Sequence, residues 1–67
     1  MKKFNIKTAK FNELITKNGK EAKLLYSERA SKNFPLVVII DNMKVEFYTI
    51  EGKVYLDKDS EFDLMIK

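Results

Sequence analysis

The stretch Asp57-Lys58-Asp59-Ser60-Glu61-Phe62-Asp63 sets an oxygen-bearing side chain at every second position, as the first half of a calcium loop does. The likeness stops there. Phe62 stands where such a loop needs a glycine, and the bidentate glutamate that closes it would fall beyond Lys67. The stretch reads as a solvated acidic loop. Ser27, Ser31 and Ser60 lie in polar segments with only lysines as bases, and nothing in their spacing suggests a Ser–Lys pair. The chain has no histidine and no cysteine. Neither a Ser/His/Asp nor a Cys/His arrangement can be assembled from it, and disulfides and Cys-bearing metal sites are excluded. Gly19 and Gly52 are its 2 glycines, so it holds no glycine-rich phosphate loop. Paired carboxylates for glycoside hydrolysis need a cleft that pushes their pKa values apart. A chain of 7.9 kDa keeps little interior once its own side chains fill it. These residues predict no enzyme, no cofactor and no metal.

Charge is distributed unevenly. Residues 1–33 carry nine basic and three acidic groups, and residues 34–67 carry four and seven. Such asymmetry steers a partner of complementary charge, although Lys and Glu are also the ordinary solvated surface of a small domain. Arg29 is the single arginine, and bidentate recognition of phosphate or guanine favours arginine over lysine. Lys2, Lys3, Lys7, Lys10, Lys17, Lys20 and Lys23, with Tyr26 to stack a base, form a candidate basic face. Nucleic-acid binding would then depend on Lys17, Lys20 and Lys23. Against it stands the plainer arrangement, with Tyr26 in the core and the lysines in water.

These residues must be positioned by a small number of short elements. At 67 residues, 45% hydrophobic and 34% charged, the chain is one globular domain spanning 1–67. Phe4-Asn5-Ile6-Lys7-Thr8-Ala9-Lys10 predicts a helical turn capped by Asn5, with Phe4 packing on Ala9; an edge strand is the competing assignment. Glu13–Lys17 and Lys20–Tyr26 flank Asn18-Gly19, a dipeptide suited to a type I′ hairpin turn. Ser27–Asn33 reads as a polar loop. Leu36–Ile40, opened by Phe34-Pro35, is apolar throughout and reads as a central strand. A turn at Asp41-Asn42 or Asn42-Met43 leads to Lys44–Thr49, a reversal at Glu51-Gly52 to Lys53–Leu56, and an acidic loop to Phe62–Ile66. Five to six short strands with a short N-terminal helical turn predict a mainly all-β fold. The form expected is a small curled antiparallel meander or SH3-like barrel, with an open sheet covered by the N-terminal segment as the alternative. The expected core is Leu14, Leu24, Tyr26, Leu36, Val38, Ile40, Val45, Phe47, Val54, Leu56 and Leu64.

The longest apolar run, Pro35–Ile40, is far below the roughly 20 residues of a membrane span. Lys2-Lys3 has no apolar segment behind it to make a signal peptide. A cytoplasmic location with no membrane partner is expected.

The segments Phe4-Asn5-Ile6-Lys7-Thr8-Ala9-Lys10, Asn18–Leu25, Phe34-Pro35-Leu36-Val37-Val38, Tyr48-Thr49-Ile50-Glu51-Gly52-Lys53 and Phe62-Asp63-Leu64-Met65 occur in that order. In this the chain resembles a group of small uncharacterised proteins encoded by phages, prophages and mobile elements of gut bacteria. It departs from their pattern at Phe11-Asn12, where they approach the first strand through Gly-Lys/Arg-Pro. The resemblance implies a small β fold and a mobile-element origin, and it brings no activity, cofactor or catalytic residue.

The function expected is that of a non-catalytic protein-interaction module, modulating a host protein, with Tyr48 and Tyr55 as aromatic anchors on the solvent-facing register. Nucleic-acid binding through the basic half is the alternative. Self-association through an exposed edge, such as the last strand, is a third.

Overall fold

A computed structural model of the chain describes residues 2–9 and 13–67. Lys10 of the expected basic face and the Phe11-Asn12 departure lie outside the described residues. The elements are β1 (Lys2–Lys3), α1 (Ile6–Ala9), β2 (Leu14–Thr16), β3 (Glu21–Tyr26), β4 (Leu36–Ile40), β5 (Lys44–Tyr48) and β6 (Leu64–Ile66). All pairings are antiparallel, in one open sheet of order β1-β6-β2-β3-β4-β5. The mainly β expectation holds. The last strand is internal, lying between β1 and β2, so the edge strands are β1 and β5.

The sheet curls. β5 and β6 stand four places apart, about 19 Å across a flat sheet. Yet the amide of Leu64, which opens β6, donates to the carbonyl of Gly52, four residues past β5, at 2.8 Å. The Phe4 ring, just after β1, lies against Gly52 from the other edge. Inside the curl, Phe4, Ala9, Leu14, Leu36, Val38, Ile40, Tyr48, Leu64 and Ile66 form one buried cluster, with Ile6, Ala22, Leu24 and Val54 packed on it. The helical turn forms as its cap predicts: Asn5 Oδ1 accepts from the Lys7 amide at 3.0 Å.

Four local expectations are corrected. Asn18-Gly19 does not form a type I′ turn, because only Gly19 has positive φ there. The Gly19 amide donates to Thr16 O, and Thr16 N to Lys20 O, which closes a three-residue loop with Gly19 in the left-handed position. Both positive-φ residues of a type I′ geometry occur instead at Asp41 (52°) and Asn42 (57°).

Next, β5 faces the opposite way. The Met43 amide donates to Ile40 O, but Ile40 is paired with Lys44, so Met43 is an extra residue between turn and strand. Because side chains alternate, one extra residue exchanges the faces. Lys44, Glu46 and Tyr48 share the core-side face with Ile40, Val38 and Leu36, Lys44 at its exposed end, while Val45 and Phe47 are 51% and 44% exposed. Tyr48 is therefore a fully buried core residue rather than a surface anchor.

Tyr26 also leaves the core. A bulge between Leu24 and Tyr26 pairs Tyr26 with Val37 on the outer face. Finally, Lys53–Leu56 is not a strand and Leu56 is exposed. The Val54 amide is taken by a side chain, Asp63 Oδ1, at 3.0 Å, so this segment spans the curl without a ladder neighbour.

Candidate functional site

The inward turn of β5 creates a cleft. Lys44, Glu46 and Tyr48 form one wall with Ile40 at its end, and Val54, Tyr55, Ser60 and Phe62 form the other. Its volume is about 230 Å³. The opposite wall exists because Asp63 holds it. Asp63 Oδ1 accepts from Val54 N and Oδ2 from Ser60 N, both at 3.0 Å, and Lys17 Nζ lies 3.8 Å away. The Phe62 amide donates to Ser60 Oγ at 3.1 Å, and Asp63 N to Ser60 O. Ser60-Glu61-Phe62-Asp63 thus makes one bond of a helix capping box, Asp63 Oδ2 accepting from the Ser60 amide, while the Ser60 hydroxyl takes the Phe62 amide in place of the Asp63 one; no helix follows. The acidic stretch is solvated except for this last carboxylate, which is buried.

Tyr48 and Tyr55 meet here in different roles. Tyr48 is the floor, and its hydroxyl donates to Phe62 O at 2.7 Å. Burial first, then the nearby charges of Glu46 and Asp63, holds its phenol well above the ordinary range, so it stays neutral. Tyr55 is the exposed lip, 44% accessible, with Lys58 Nζ 4.5 Å from its ring centroid. Phe62 is exposed beside it. At the rim Lys44 Nζ and Glu46 Oε1 are 3.1 Å apart. Outside the cleft lining, Lys53 is bound to Asp59 at 2.6 Å; that bond raises the lysine's pKa and lowers the carboxylate's. The cleft can take an apolar or aromatic side chain between rings, with a cation and an anion at its mouth.

The three basic residues are not brought to one free surface. Lys17 faces Asp63, and Lys20 Nζ lies 3.7 Å from Asp41 Oδ2, on the two sides of the 17–19 turn. Lys23 stands on the outer face in a row with Ile39 and Val45. In the next row Tyr26, Val37 and Phe47 align, and the Arg29 guanidinium stacks on Phe47 at 3.8 Å. Among the described residues, no group of three or more acidic side chains is placed to hold a metal. No described helix is long and apolar enough to cross a membrane.

Sequence reasoning missed Phe62, the Lys44–Glu46 pair and Asp63. A signal existed for Asp63 alone, in the capping-box spacing from Ser60. No family model, curated protein or solved structure matches the chain.

Proposed function

We propose that the protein is a non-catalytic protein-interaction module whose cleft takes an apolar side chain of its partner. The supporting observation is the convergence of exposed Tyr55 and Phe62 over the buried Tyr48 floor, with opposite charges at the rim. Aromatic side chains that can be fully desolvated, ringed by polar groups, are where small interfaces concentrate their affinity. A curled β domain with an aromatic-lined groove is also how SH3-type barrels hold extended peptides, and the SH3-like description belongs to this proposal. The resemblance to phage and mobile-element proteins supplies the setting: a bacterial cytoplasm, with a host protein as the one modulated. Affinity capture from such a host, run in parallel with wild type and Tyr55→Ala, tests it. A stoichiometric partner held by wild type and lost with Tyr55→Ala is expected. Equal recovery by both proteins, or no partner with wild type, overturns it.

A second reading is favoured by one observation. The bulge that turns Tyr26 outward sets it on the same face as Lys23 and in the row of Phe47, on which Arg29 stacks. Single-stranded nucleic acid would stack there. Retardation of an oligonucleotide at low salt, lost in Tyr26→Ala and weakened in Lys23→Glu, is its expected outcome. Retention unchanged in both variants, or no retardation, removes it. The lysines at 17 and 20, already facing carboxylates, contribute little to this surface.

A further inference from the structure

We propose that the free edge of β5 pairs antiparallel with β5 of a second copy of this chain, about a two-fold axis through Val45. β5 is the last strand of the sheet and carries five residues, against two for the other edge, β1. Its outer face carries Val45 and Phe47, each about half exposed, with Arg29 stacked on Phe47, and the turn residue Met43 just before it is 83% exposed. Its inner face carries charges, Lys44 and Glu46.

Inward-pointing charges on an edge strand ordinarily repel other strands. Here they select one register. Directly opposed residues of an antiparallel pair share a face, so inner residues must meet inner ones and outer residues outer ones. A two-fold axis at residue 44 opposes Lys44 to Lys44, and one at residue 46 opposes Glu46 to Glu46. An axis at residue 47 leaves Lys44 beyond the overlap and sets Glu46 against the buried Tyr48. The axis at Val45 alone sets each Lys44 against Glu46 of the second copy. The same register opposes Val45 to Val45 on the outer face and brings Phe47, with its stacked Arg29, toward the turn residue Met43 of the second copy. The ion pair within each strand, 3.1 Å long and largely solvated, becomes one side of a four-charge cluster. An edge this short gives a concentration-dependent dimer of the transient class.

Lys44 and Glu46 also line the cleft, so Tyr55→Ala, which alters the cleft and leaves the edge intact, separates failure of the dimer from failure of the cleft reading. Sedimentation of wild type is expected to show a monomer–dimer equilibrium at high micromolar concentration. Lys44→Glu and Glu46→Lys singly are expected to give monomers, and the double exchange Lys44→Glu/Glu46→Lys to restore the dimer, because the exchanged strand is again self-complementary. Circular dichroism of each variant checks that the fold is kept. The chain has no cysteine of its own, so single cysteines report the register. Opposed Cα atoms lie about 4.5–5.5 Å apart, within disulfide reach, whereas a pair offset by two residues does not. Val45→Cys is expected to oxidise to a covalent dimer and Glu46→Cys to remain reduced. A wild-type protein monomeric at every concentration, or cross-linking at residue 46 in place of 45, overturns the proposal.

Discussion

Tyr48 shows how much one side chain decides. Its ring fills the curl and its hydroxyl reaches Phe62 O, so it ties β5 to the wall of the cleft. Tyr48→Phe keeps the ring and is expected to lose about 1 kcal/mol of stability, measured by urea unfolding, as one hydrogen bond is removed. The effect depends on pH. Burial raises the folded-state pKa of this phenol above its unfolded value near 10. Its contribution is therefore complete below about pH 10 and is lost as pH rises toward the folded-state value. Lys53, also raised, by its bond to Asp59, acts in the same direction from the surface. Unfolding followed from pH 9 to 11.5 should show a shallower alkaline loss in Tyr48→Phe than in wild type; parallel curves would mean that the phenol does not sense burial.

At the scale of elements, the turns set which residues become available. Gly19 and Gly52 both have positive φ, at 88° and 79°, but their surroundings differ. A Cβ at Gly19 meets nothing within 4 Å, while one at Gly52 would stand 2.7 Å from the buried Phe4 ring. Gly19→Ala is expected to cost about 1–2 kcal/mol for the left-handed backbone alone. Gly52→Ala adds about 1–3 kcal/mol of overpacking and loosens the approach of the two edges. Thermal unfolding of the two variants side by side measures the difference, and equal losses would show that the Phe4 contact carries no weight. Much at this scale was legible in the sequence. The Asn5 cap, a strand at Leu36–Ile40 and the hairpin about residues 17–20 follow from side-chain chemistry acting over a few residues; the expected central place of that strand does not hold, since it lies beside the edge strand β5 and buries only alternate residues. The outward turn of Val45, Phe47 and Tyr26 was not, because it rests on single inserted residues, Met43 and Leu25, whose composition is ordinary. The candidate site shared this fate: Tyr55 was legible as an exposed aromatic, but Tyr48 was assigned the wrong face with the rest of its strand.

For the whole molecule, the charge asymmetry along the chain is partly cancelled in space. The 17–19 turn of the basic half meets carboxylates of the acidic half, Lys17 at Asp63 and Lys20 at Asp41. The Lys17 amide donates to Asp63 O and the Asn18 amide to Glu61 O in the same contact. Both lysines are about half exposed, so each pair is worth at most about 1 kcal/mol and is screened by salt. Melting in rising sodium chloride should therefore show a small, smooth destabilisation of the order of 1 kcal/mol in total. A marked stabilisation would mean that lysine–lysine repulsion dominates and that the halves do not neutralise each other.

Composition and local pattern by themselves determined a small β domain with a capped N-terminal turn, without histidine or cysteine chemistry. These are properties of residue type and of spacing over a few positions. Only the tertiary structure decided that the last strand lies inside the sheet, that β5 is its edge, and that Asp63 is turned inward to build a cleft wall. Each of these depends on which distant segment supplies a hydrogen-bond partner. Strand pairing is a contest between segments far apart in the chain, and one extra residue at a turn is enough to exchange the two faces of a strand.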